Sequence, residues 1–321
     1  MSKKDTIPFE RPIADLEDRI DELKRISASQ LVNMDGDIHD LEAKATTLRR
    51  DMFSKLTSYE TTQIARHPRR PNTLELIEAM TTGFIEMHGD RNFLDDKAIV
   101  GGLARLDDMP IVIIGHQKGR GTKDNIFRNF GMPRPEGYRK ALRLMNLAER
   151  FKLPIVTLVD TPGAYPGIDA EERGQSEAIA KNILVMTRLK VPIVTVVVGE
   201  GGSGGALAIA VANKVFMMEY GVYSVISPEG CASILMKDAS QASTAADMLK
   251  ITAPSALKLG LIDGIIKEPE GGAHRDLSLT AERIKSTIYS SIKELLTVTP
   301  EEVRTLRYEK FLKMGQVEVA H

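Results

Sequence analysis

The 321-residue sequence has no tryptophan, one cysteine and few aromatics, 5% in all. A lone Cys231 excludes an internal disulfide. With only six scattered histidines and no HExxH, it also excludes a cysteine-type structural zinc site, and no metal site is expected in the chain. No apolar run approaches the roughly 18 residues of a membrane span. The opening MSKKDTIPFERP has no apolar h-region, so a soluble, cytoplasmic protein is expected. An excess of one charge is missing too: 43 Lys plus Arg stand against 44 Asp plus Glu, a net −1. Nothing global draws the chain to nucleic acid or to an anionic membrane, and any anion-binding role must come from local clustering. A composition 42% apolar and 27% charged excludes disorder and collagen, and the length suits one large domain or two ordinary ones.

Ile13, Leu16, Ile20 and Leu23, then Ile38, Leu41, Ala45, Leu48 and Met52, recur at steps of three and four. That periodicity predicts a helical hairpin broken at Asn33-Met34-Asp35-Gly36-Asp37, either clasping its own main body or docking on a partner. His67-Pro68-Arg69-Arg70-Pro71 forces an extended connection, so residues 1–70 form one unit and 71–321 another. Three β-branched runs follow prolines: Pro110-Ile111-Val112-Ile113-Ile114, Pro154 to Val159 and Pro192 to Val198, spaced by 44 and 38 residues. Apolar on both faces, they predict buried strands of a largely parallel sheet in an α/β fold with helices outside. Further strands are expected at Lys214–Met218 and Tyr223–Ile226. Helices are expected at Ala281–Leu296 and from an N-cap at Thr299.

Chemistry concentrates in Gly199-Glu200-Gly201-Gly202-Ser203-Gly204-Gly205-Ala206, where a strand runs into glycines and a small-residue helix. Three readings stand. Gly199, Gly201 and Gly204 spell a dinucleotide loop, with Glu219 20 residues beyond Gly199. Glu200 inside that turn would repel a pyrophosphate. Ser203 between glycines spells a nucleophile turn, with Asp263 and His274 following in hydrolase order. Glycines at a helix start also leave backbone N–H groups for an oxyanion. Asp160-Thr161-Pro162-Gly163-Ala164-Tyr165-Pro166-Gly167 repeats the layout after the preceding strand, and adjacent repeats put both loops at one end of the sheet. Between His116 and Arg143, eight basic residues, Lys118 and Arg120 among them, face only Asp124 and Glu136. This implies an anionic ligand. The absence of interleaved aromatics argues against nucleic acid, and no Walker loop occurs. Cys231 reads as an apolar filler, and no general base stands out beyond the acids Asp160 and Glu229.

These two glycine loops, together with Gly115-His116-Gln117-Lys118-Gly119-Arg120, Ile226 to Leu235 and Gly271-Gly272-Ala273-His274-Arg275, resemble the carboxyltransferase alpha subunits of bacterial acetyl-CoA carboxylase from about Pro12 onward. Gly121 departs from the acidic residue expected there. The resemblance implies a crotonase-like fold of superhelical strand and helix repeats. It implies transfer of carboxyl from carboxybiotin, held on a biotin carrier protein, to acetyl-CoA, giving malonyl-CoA for fatty acid synthesis. Oxyanion donors would be the backbone N–H groups of Gly204, Gly205 and Ala206, with Gly163 and Ala164 close by. Lys118, Arg120, Tyr165, Gly201 and Gly202 would contact substrate. The resemblance further implies an alpha-two beta-two heterotetramer. By the same resemblance, zinc would be confined to the beta subunit, ATP would be used by the separate biotin carboxylase, and biotin would not be attached to this chain.

Overall fold

The computed structural model describes residues 6–30 and 34–315. Helices α1 (Arg11–Gln30) and α2 (Asp35–Phe53) form the hairpin. Their ion pairs Glu17–Arg49 and Lys24–Glu42 run in opposite order along the two helices, as antiparallel packing requires. Asn33 of the expected break lies outside the described residues, and Asp35 already opens α2. The hairpin clasps its own main body at its base: Phe53 packs on Phe9 and Tyr220, and Glu17 takes the Arg275 guanidinium at 2.8 Å. Farther out, Ile20, Ile38 and Ala45 pack with Leu16, Leu23 and Leu41 of the hairpin alone.

Two short helices follow, α3 (Ser58–Ala65) and α4 (Thr73–Met80). Each starts at a capping box, Thr57 with Glu60 and Asn72 with Glu75. The Pro-rich stretch between them is irregular, as expected.

Among the described residues there are eight strands, β1 (Thr82–Glu86), β2 (Ile99–Leu106), β3 (Met109–His116), β4 (Ile155–Thr161), β5 (Ile193–Gly202), β6 (Lys214–Met218), β7 (Val222–Ser224) and β8 (Gly264–Ile266). They join in the order β1-β2-β3-β4-β5-β6-β8, with β7 pairing the far end of β5. β1, β2 and β3 are antiparallel, and from β3 to β8 the sheet is parallel. All three proline-led runs are strands of this sheet. Their alternate residues serve two cores. Val112, Ile114, Ile155, Val159, Ile193 and Val197 face the helices α6 (Pro135–Phe151) and α8 (Gln175–Arg188). Ile111, Ile113, Val156, Leu158, Val194 and Val196 face α4 and the long helix α13 (Leu277–Leu295). Both faces of the sheet are covered, which is why its strands read as unbroken apolar runs.

The remaining helices are α5 (Gly121–Phe127), α7 (Ile168–Glu172), α9 (Ser203–Leu207), α10 (Pro228–Cys231), α11 (Ala242–Leu249), α12 (Ala253–Lys258) and α14 (Pro300–Lys313). Two expectations shift. The strand placed at Tyr223–Ile226 is the shorter β7, and α13 starts four residues early because Asp276 accepts the Leu279 N–H at 2.9 Å as its cap. Helix α14 is N-capped by Thr299, as expected, with a complete capping box to Glu302.

Candidate functional site

β4 and β5 are parallel neighbours, so the loops that leave them emerge at the same edge and meet. A Cβ at Gly205 would stand 2.6 Å from the Gly163 carbonyl carbon, and one at Gly202 would overlap the Pro162 carbonyl. Both positions must be glycine for one backbone to cross the other. Gly201 is buried against the Tyr223 ring. Ser203 takes φ +53 to turn the chain into α9, whose first turn carries the N–H groups of Gly204, Gly205 and Ala206 without carbonyl partners of their own helix. Gly163 turns its N–H to Thr161 Oγ1 at 3.1 Å, so this group points into its own loop. Tyr165 is half-buried under the Arg134 guanidinium, 4.7 Å from the ring centre, and its backbone is tied to Pro133 and Gln175.

Two hollows flank the loops. One, of about 490 Å³, is largely apolar and is lined by Gly204, Leu207, Tyr223, Val225, Leu261 and Phe311 among others. A side chain at Gly204 would meet nothing closer than Ile179 at 3.8 Å, so its backbone is open to approach. The other, of about 660 Å³, is basic: Arg66, Arg69, Arg70, Lys118 and Arg120 line it, with Asp160 at its inner wall.

Not all these cations are free. Arg120 donates Nε to Glu75 at 3.1 Å and Nη2 to the Arg70 carbonyl at 2.8 Å, and so serves as a strut between the 66–72 stretch and the basic loop. Lys118 Nζ sits 2.7 Å from both Asp160 Oδ1 and Glu200 Oε2. Burial would raise the Glu200 carboxyl, but Lys118 and Arg66 pull it down to about 2. Arg69 is exposed and forms no ion pair among the described residues.

Of the three readings of the glycine loop, two lose their partners. Glu219, which a dinucleotide ribose would need, takes Lys267 Nζ at 2.6 Å and the Glu268 N–H. Gly199 makes room for the Asp160 carboxylate rather than for a ligand. The hydrolase partners are also engaged: Asp263 is bound to Lys310 and to the Val215 N–H, and His274 is buried against His67 and Glu10.

A family model described as acetyl co-enzyme A carboxylase carboxyltransferase-like matches residues 6–315. The chain belongs to this carboxyltransferase family. It is 55% identical over 310 residues to the acetyl-coenzyme A carboxylase carboxyl transferase subunit alpha of Aromatoleum aromaticum, covering 97% of this chain and 96% of that one. Against the subunit of the same name from a Marinomonas species, the identity is 55% over 311 residues, covering 97% and 99%. Among solved structures, a Pseudomonas malonate decarboxylase hetero-tetramer in complex with coenzyme A superposes with a TM-score of 0.60 at 17% identity, over 77% of this chain and 93% of that one. Transcarboxylase 12S does so with 0.56 at 20%, over 70% and 41%. The fold is crotonase-like.

Within this carboxyltransferase framework the sequence reading passed over Arg66 and Arg69, taking their segment only as a connection. Three arginines within five residues, Arg66, Arg69 and Arg70, were the available signal. It also missed a buried cluster, Glu10, His67 and His274, whose ligand atoms lie within 4.8 Å of one another. By residue type the cluster suits a transition metal, but its surroundings do not. His67 Nδ1 accepts the Arg69 N–H at 3.1 Å, which puts the neutral ring's proton on Nε2, the atom facing Glu10. The Arg275 guanidinium stands 3.9 Å from the same carboxylate. Burial pushes His67 down to about 4 and His274 to about 3, and raises the Glu10 carboxyl. Neutral, stacked rings with a centroid separation of 3.8 Å are the consequence. Among the described residues, no helix is long and apolar enough to cross a membrane.

Proposed function

We propose that this chain is the alpha half of an acetyl-CoA carboxylase carboxyltransferase. With a beta subunit, in an alpha-two beta-two assembly, it moves carboxyl from carboxybiotin on a biotin carrier protein to acetyl-CoA and forms malonyl-CoA. The observation that carries this reading is the crossing of two glycine loops at one sheet edge, with Gly204 opening onto an apolar hollow. Such a hollow suits the bicyclic biotin ring. The N–H groups of Gly204, Gly205 and Ala206, with that of Ala164, suit a ureido oxygen as negative charge develops on it. Biotin supplies the carboxyl group and a ring nitrogen able to take the acetyl proton. That accounts for a site without a side-chain base. The chain's part is to hold the reacting groups in line and stabilise charge. Arg69, exposed at the basic hollow, offers a contact for the phosphates of coenzyme A or for acids on the carrier, whereas Arg66 is engaged by Glu200 and Glu229. Tyr165 lies within the first of these loops. Gly201 and Gly202 contribute close packing rather than contacts of their own.

The test is the reverse reaction, malonyl-CoA decarboxylation dependent on free biocytin, with the chain alone and co-expressed with the beta subunit. Activity in the pair only is expected. A verified, folded heterotetramer without activity would refute the assignment.

A further inference from the structure

We infer that Lys118 is a positioning residue that sets the spacing of the two glycine loops, acting as a cationic rivet between Asp160 and Glu200. This rests on the loops being the carboxyl-transfer site.

The strand ladder alone does not fix that spacing. β4 and β5 pair in step as far as Val159 with Val197, but the next pair is Thr161 with Gly201. Over this stretch β5 spends four residues where β4 spends two, and the register is lost at Asp160 and Glu200. Three contacts take the ladder's place. Asp160 Oδ1 accepts the Glu200 N–H at 3.0 Å. Lys118 Nζ reaches both carboxylates at 2.7 Å. Arg66 pairs with the other oxygen of Glu200, and also with Glu229 at 2.8 Å. The stem of Lys118 lies against Gly131, where a Cβ would come within 2.7 Å of its Cγ, and the Gly131 carbonyl accepts from Thr161 Oγ1 at 2.6 Å. One side chain therefore touches the entry to each glycine loop and a third segment beneath them.

The electrostatics give the rivet its sign. Asp160 and Glu200 side chains are 6% and 8% exposed, so two carboxylates are held together with little water. Without a cation between them they repel, and an uncompensated buried charge is costly. Their separation, and with it the distance from Ala164 to Gly204, depends on the ammonium group. Burial opposes charging Lys118, yet Asp160 and Glu200 hold it protonated.

In the heterotetramer, Lys118→Met is expected to lower kcat for biocytin-dependent decarboxylation about 10²-fold, the cost of a misplacement near 1 Å, with both KM values within about threefold. Lys118→Arg, which keeps the cation, should stay within about tenfold of the parent. The informative variant is Lys118→Met with Asp160→Asn. The asparagine oxygen still accepts the Glu200 N–H, and one negative charge leaves with the positive one, so at least tenfold of the lost kcat should return. Thermal unfolding and gel filtration of each variant separate misfolding from misplacement. A single variant with unchanged kcat and a raised, salt-dependent KM would make Lys118 a substrate contact and overturn the inference, as would a double variant no better than the single one. Gly204→Val separates the two proposals, because its side chain enters open space. If it loses rate while Lys118→Met does not, only the rivet fails. If it retains full rate, the loop reading fails and the rivet with it.

Discussion

At the scale of single residues, Gly205 and Gly204 are neighbours with opposite constraints. A methyl group at Gly205 would press on the backbone of Gly163 and Ala164, and Gly204 has open space. Gly205→Ala is therefore expected to cost stability as well as about 10²-fold or more in rate, by driving the loops apart. Thermal unfolding beside steady-state kinetics checks this. A stable variant with full rate would show that the crossing is not needed. The glycines were legible in the sequence because each is written out in the motif. Their partners were not, since the crossing joins positions about 40 residues apart through backbone contacts that leave no side-chain signature. Lys118 and Arg120 illustrate the same limit. Counting charges found both, but only the fold shows that one is locked between carboxylates and the other bound to Glu75.

At the scale of elements, the proline-led runs announced β3, β4 and β5 because a strand covered on both faces must be apolar throughout. β1 and β2 escaped notice: β1 is short and mostly exposed, and β2 has its apolar run broken by Gly101, Gly102 and Arg105. The capping boxes of α3 and α4 were readable as Thr57 to Glu60 and Asn72 to Glu75, and were overshadowed by the prolines between them. Helix α14 is fastened by Arg307, which is fully buried and donates to the carbonyls of Leu189 and Val191 and to Asn213 Oδ1. Arg307→Leu would leave the two carbonyls buried and unpaired, while Asn213 Oδ1 keeps the Ile193 N–H, a loss of about 2–4 kcal/mol. Denaturant titration measures it, and a loss under about 1 kcal/mol would mean that water replaces the guanidinium.

At the scale of the whole molecule, acid should unfold the protein earlier than its balanced charge suggests. His67, His116 and His274 are pushed by burial to about 4, 3 and 3, from an ordinary 6.5. The unfolded chain therefore takes up these protons first as pH falls. The stability that neutral imidazoles confer is complete above about 6.5 and drains away toward 4. Glu200, held near 2, adds a loss that begins only below its ordinary 4.5. The raised Glu10 carboxyl works the other way, with one proton against three. Thermal midpoints measured from pH 7.5 to 5 should decline, with most of the fall below 6.5. A flat profile would place these rings in contact with solvent.

The uneven stretch between β4 and β5 has one more consequence, for parity. Side chains on a strand alternate between faces, so an excess of two residues leaves every later position of β5 on the face it would have occupied anyway, whereas an excess of one would invert them all. The sheet can thus displace the second glycine loop relative to the first without disturbing either core. Removing one residue from the Val198 to Glu200 segment should scramble the site and the packing beyond it, while removing two should leave a sound sheet whose loops no longer meet.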